Sequence, residues 1–205
     1  MNLRRLKKQA GFSMLELMLS MFVLLVLLVV VSTLFADAVG IRDREGSKTD
    51  ALTAAEAALN VISREVSNSG YGLTHNGIVS VDSNAHRLRF RTNVVNNNDN
   101  TNSPGEDVTY YFDDDTDSIV RYDPHDSPTT SAVINKISNV TFSYFDYYGS
   151  SSTPTVNTSP SSHTSRIRIT VTVQLDEVQG QPTNQTVTFT SDVTLRNSNY
   201  MLNQY

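Results

Sequence analysis

The sequence predicts an α+β chain: a long N-terminal helix followed by an antiparallel sheet. Three observations predict it. Residues 17–36 form twenty consecutive positions without a charge or a proline, residues 37–69 carry an apolar stripe at helical spacing, and from residue 77 the apolar period changes to two.

At about 1.5 Å per residue, the apolar run spans roughly the 30 Å of a bilayer's hydrocarbon core. Arg4, Arg5, Lys7 and Lys8 precede it, so the N-terminus is expected to stay cytoplasmic and the rest to be exported. An ordinary cleaved secretory signal fits poorly, because the run is longer than a signal peptide's apolar core. At the head of the apolar run stands one acid, Glu16, and a carboxylate there needs a reason.

Leu52, Ala55, Leu59, Ile62 and Val66 recur at spacings of three and four and form one stripe. The two helical segments are expected to join into a single rod. Its weak place is residues 40–47, where Gly40, Gly46 and Ser47 lower helix propensity beside the charges Arg42, Asp43, Arg44 and Glu45. Gly70 and Gly72 supply the stop.

Residues 78–81 and 87–91 read as short strands, the second with Leu88 and Phe90 inward and three arginines on a solvated face. Residues 95–105 are an asparagine-rich exposed loop. Residues 107–112 and 119–122 read as a hairpin, residues 140–145 as another strand, and residues 149–165 as a polar surface loop. The clearest alternation runs through Ile167, Ile169, Val171, Val173 and Leu175. After a turn at residues 178–184 it resumes at Val187, Phe189, Val193 and Leu195, giving a hairpin with one wet face. The helix is thus expected to lie on one sheet of about five to seven strands.

The acidic turn at residues 113–118 is the only metal-like cluster. Asp113, Asp115 and Asp117 have the one-three-five spacing of a calcium loop, yet Ser118 stands at the sixth place and Pro124 at the twelfth, where glycine and glutamate are wanted. It is a weak calcium candidate, and no other cofactor is expected. His75, His86, His125 and His163 have no nucleophile or acid at a spacing that suggests a triad, so no enzyme is expected. The chain contains no cysteine, which rules out disulfide staples and thiol chemistry.

Gly11-Phe12-Ser13-Met14-Leu15-Glu16-Leu17-Met18, behind a short basic leader and ahead of an unbroken apolar helix, resembles the N-terminal signal of the type IV pilin superfamily. The resemblance implies that a prepilin peptidase cuts between Gly11 and Phe12, that Phe12 is N-methylated, and that Glu16 is an assembly contact. Residues 1–11 would then be a leader, 12–36 the transmembrane and assembly half of the helix, 37–69 its amphipathic half, and 70–205 a β-rich exported domain. Losing the leader would leave twelve basic residues against twenty-one acids, a charge of −9, so no nucleic-acid partner is expected. The fold implied is pilin-like.

Ser63-Arg64-Glu65-Val66, Gly70-Tyr71-Gly72 and the closing Val193-Thr194-Leu195-Arg196-Asn197 resemble minor pilins of the PilW type and minor pseudopilin J. The resemblance implies other pilin or pseudopilin subunits as partners and a place in the inner membrane before assembly, then in a fibre, at the cell surface or in the periplasm. Two further readings stay open: a pseudopilin of a type II secretion system, and a pilin-anchored adhesion module that binds through residues 95–105 and 149–165.

Overall fold

A computed structural model describes residues 12–95, 100–149, 151–178 and 182–203. The first helix, α1, runs unbroken over Met14–Ser67, 54 residues, or about 81 Å at 1.5 Å per residue. It does not yield at residues 40–47. A side chain at Gly46 would meet nothing within 4 Å, and Lys48 Nζ lies 2.8 Å from Glu45 Oε1 across the same turn, so glycine there costs only propensity. The helix ends two residues earlier than the sequence suggests. Asn68 caps it by donating to the Glu65 and Val66 carbonyls, and Gly70 turns the chain away at φ +78°.

Eight strands follow: β1 (Arg87–Arg91), β2 (Asp107–Asp113), β3 (Ser118–Tyr122), β4 (Thr130–Asn135), β5 (Ile137–Asp146), β6 (Thr155–Asn157), β7 (Thr164–Gln174) and β8 (Thr186–Thr194), before a short helix α2 (Asn199–Leu202). They form two four-stranded antiparallel sheets, ordered β1-β2-β3-β4 and β6-β5-β7-β8. The single sheet expected from alternation is therefore two. Lys136, alone between β4 and β5 at φ +58°, redirects the chain from one sheet into the other.

Ala55, Ala58, Leu59, Ile62 and Val66 are buried against a core that both sheets share, with Tyr110, Phe142, Ile167 and Leu195. Leu52, read as part of the stripe, is 40% exposed, and Ala58 is the buried residue the spacing missed. The alanines let the helix lie close to the sheets. Residues 78–81 are not a strand. Ile78 makes one bridge to Phe90, after which Ser80–Asp82 form a 3-10 turn that leaves Val81 92% exposed.

Candidate functional site

Ser13 is extended and caps α1. Its hydroxyl accepts from Leu15 N–H at 3.3 Å, and Glu16 Oε2 accepts the Ser13 N–H at 3.3 Å. This is a capping box, and the Ser-x-x-Glu spacing ahead of an apolar run was its signal in the sequence. Glu16 therefore has a local task at the helix end: its side chain accepts the Ser13 N–H, a donor that lacks an intrahelical partner. Phe12 precedes the cap and is 87% exposed; Gly11 lies outside the described residues.

From Leu17 to Phe35 the large apolar side chains are 48–73% exposed, since no other part of the described chain covers them. The helix is long and apolar enough to cross a membrane. Its hydroxyls suit such a setting: Ser20 donates to the Leu17 carbonyl at 2.8 Å and Thr33 to the Val30 carbonyl at 2.9 Å, leaving neither donor without a partner. Near the middle of the helix the head is tied to it at Ser47, whose hydroxyl accepts the Asp176 N–H at 3.2 Å. At the end of the helix it is tied again at Ser67, whose carbonyl accepts from Arg196 N–H at 3.2 Å.

The arginines of β1 were expected on a solvated face, yet two are tied into the structure. Arg89 is bidentate to Asp107 at 2.7 Å for both bonds, and Arg91 reaches the same carboxylate at 3.1 Å. Burial pushes the Asp107 carboxyl up, but Arg89 and Arg91 outweigh that and hold it below the usual range.

Buried acids are what sequence reading missed most. Glu106, 1% exposed, accepts from the N–H groups of Val94 and Val95 at 2.8 Å each and of Ser103 at 3.0 Å. Burial raises its carboxyl, and these backbone donors bring it net below the ordinary value. Both described ends of the asparagine-rich loop are thereby anchored. Asp146, also 1% exposed, accepts from Thr164, Ser161 and Asn157 at 2.6, 2.7 and 3.0 Å, which folds the polar loop back onto β5.

The acidic turn is closed by its own groups. Asp113 Oδ1 accepts from Asp115 N–H at 3.3 Å and Oδ2 from the Thr116 hydroxyl at 2.7 Å, while Asp117 takes φ +47°. Among the described residues no three acids or histidines come together as metal ligands.

Neither a curated protein nor a solved structure matches the chain significantly. Residues 6–32, however, match the family model described as the prokaryotic N-terminal methylation motif. With that match and an uncovered apolar helix behind it, the chain carries a type IV pilin-like prepilin signal.

Proposed function

We propose that the protein is a structural minor pilin, a low-abundance subunit that helps start a type IV fibre at the inner membrane and stands at or near its tip. The observation that carries this reading is the methylation motif at residues 6–32, joined to a helix whose membrane half is bare and whose other half is built into the head. A bare apolar helix has two stable settings, the bilayer and a bundle of like helices. A fibre exchanges one for the other.

On this reading the prepilin peptidase cuts after Gly11, and the new Phe12 ammonium, one residue from the Ser13 N–H that Glu16 accepts, comes within reach of the Glu16 carboxylate. In a bundle, that ammonium or a neighbour's neutralises the acid and sets axial register. The head is the part left to other subunits, and no catalytic role is assigned to it.

The test is deletion of the gene, followed by counting surface fibres and assaying exoprotein secretion. Loss of fibres with secretion intact supports the minor pilin. Normal fibres with failed secretion reject it in favour of a pseudopilin, and normal fibres with lost adhesion reject it in favour of an adhesion module.

A further inference from the structure

Four arginines on the two sheets have carboxylate partners: Arg89 and Arg91 with Asp107, Arg121 with Glu65, and Arg168 with Asp192. Arg166 differs. Its guanidinium carbon lies 4.2 Å from the Phe145 ring centroid, its Nε is buried with no acceptor, and none of its guanidinium N–H groups has a hydrogen-bond partner among the described residues. Asp192, on the strand beside it, is engaged by Arg168 at 2.7 and 2.9 Å and makes no hydrogen bond or ion pair with Arg166. Arg196 adds a third positive charge. It is exposed and stands two residues beyond Thr194, which pairs with Arg166 across β7 and β8.

Stacking on Phe145 fixes the Arg166 guanidinium before any partner arrives, so little side-chain entropy remains to be lost. Val156, opposite Phe145 on β6, is 58% exposed and supplies an apolar rim. A held arginine, an aromatic beneath it and an apolar neighbour are the composition of an interface anchor. The missing component is a carboxylate.

The complementary charge sits on the same chain, at the other end of the head. Asp114, Asp115 and Asp117 in the turn between β2 and β3 are exposed, and no partner engages their side chains among the described residues. That turn adjoins Ile137, whose N–H donates to the Asp117 carbonyl at 3.1 Å, and Ile137 pairs with Val173 near the last residues of β7. Arg166 is near the first residues of β7. The seven residue steps of β7 from Arg166 to Val173 separate the two ends by about 23 Å, so one copy cannot join them.

We propose that the acidic turn of one copy docks on the Arg166–Arg196 corner of a second copy, carboxylate to guanidinium. The contact is heterologous and does not close on itself, so it places one head above the next instead of side by side. Two copies anchored at the same height cannot make it; it forms once one copy has risen by about the length of the head. This deepens the filament reading and rests on it for the direction of stacking: two copies, one raised, would be the starting unit of the fibre.

The absence of native cysteine makes the test clean. Two differently tagged full-length chains, one Asp115→Cys and one Arg196→Cys, are co-expressed in membranes and oxidised. A mixed-tag disulfide dimer is expected, with yield falling at least about tenfold in Arg166→Glu and at high salt. Yield should recover when the turn of the other chain carries Asp114→Arg, a rescue that a misfolded Arg166→Glu head would not allow. No mixed dimer above single-cysteine controls, or a yield indifferent to Arg166→Glu, overturns the proposal. If deletion abolishes fibres and the dimer is absent, the contact falls and the filament reading stands. If the dimer forms and deletion leaves fibres intact, the contact stands and the filament reading falls.

Discussion

The Tyr110 hydroxyl donates to Glu65 Oε2 at 2.7 Å, across the boundary between the long helix and the first sheet. Arg121 Nε reaches the same oxygen at 3.1 Å. The helix packs mainly on the second sheet, so this cluster is its polar tie to the first. Glu65→Ala would leave a buried phenol and the Arg121 Nε without their acceptor, while Asp123 and Asp126 still face the guanidinium at 3.4 and 3.5 Å, and we expect a loss of about 2 kcal/mol. Tyr110→Phe, which leaves the ion pair intact, should cost about 1 kcal/mol. Urea unfolding of the full chain in detergent, followed by tyrosine fluorescence, measures both, and equal costs would show that the phenol carries the tie.

Glu106 predicts an acid-sensitive loop. Its folded carboxyl titrates below the ordinary glutamate value of about 4.3, so the anchor is at full strength above that pH. It is lost as the pH falls through the lower folded value. Amide exchange at Val94, Val95 and Ser103 should accelerate first as the solution is acidified. Glu106→Gln should abolish that pH dependence and cost about 2 kcal/mol.

Gly77 tolerates no side chain. At φ +78° a Cβ would stand 2.1 Å from Gly70 N and 2.4 Å from the Arg91 carbonyl oxygen, both backbone atoms in the junction that follows α1. Gly77→Ala is expected to cost about 3 kcal/mol or more, seen as a fall in denaturation midpoint. Gly46→Ala, with open space around it, should be neutral or stabilise by up to about 1 kcal/mol.

The two tasks of Glu16 can be separated by substitution. Glu16→Gln keeps a side-chain oxygen for the Ser13 N–H but removes the charge, whereas Ser13→Ala weakens the cap by about 1 kcal/mol and keeps the charge. If the charge sets register in a bundle, Glu16→Gln and Glu16→Leu should be inserted and processed normally yet enter fibres poorly, with Ser13→Ala close to wild type. Immunoblots of membranes and sheared fibres decide it, and normal incorporation of Glu16→Gln would leave the cap as the only role.

Processing is checked by mass. Purified protein should lack residues 1–11 and carry one methyl group on Phe12, while retention of the leader would contradict the reading of Gly11 and Phe12 as the cleavage point.

What the sequence made legible were the features governed by local period. The helix stripe at Ala55, Leu59, Ile62 and Val66 and the alternation from Ile167 to Val173 lie where spacing placed them. What it hid depended on partners distant in the chain. β4 escaped notice because Thr130, Ser131 and Ala132 are exposed and carry no inward pattern. β6 is three residues inside a Ser, Thr and Pro-rich stretch, defined only by pairing with β5. The division into two sheets turns on one backbone angle at Lys136. At the candidate site, Glu16 stood out in the apolar run, but Ser13 drew no notice although its spacing to Glu16 was visible. Arg166, between the polar loop and the first alternating residue Ile167, drew no notice, because only its neighbours in the fold leave its Nε without an acceptor.

A helix that passes from the uncovered apolar half to the head's core without proline or break behaves as a crankshaft. Turning the membrane half about its axis must turn Ile62 and Val66, and with them both sheets, by the same angle, because the hydrogen-bonded rod between them has no joint in which to lose the motion. Advancing the helix by one residue within a bundle therefore carries a rotation of about 100° and a rise of about 1.5 Å together. The register chosen near Glu16 thus decides which face of the head points at its neighbour, some tens of ångströms away.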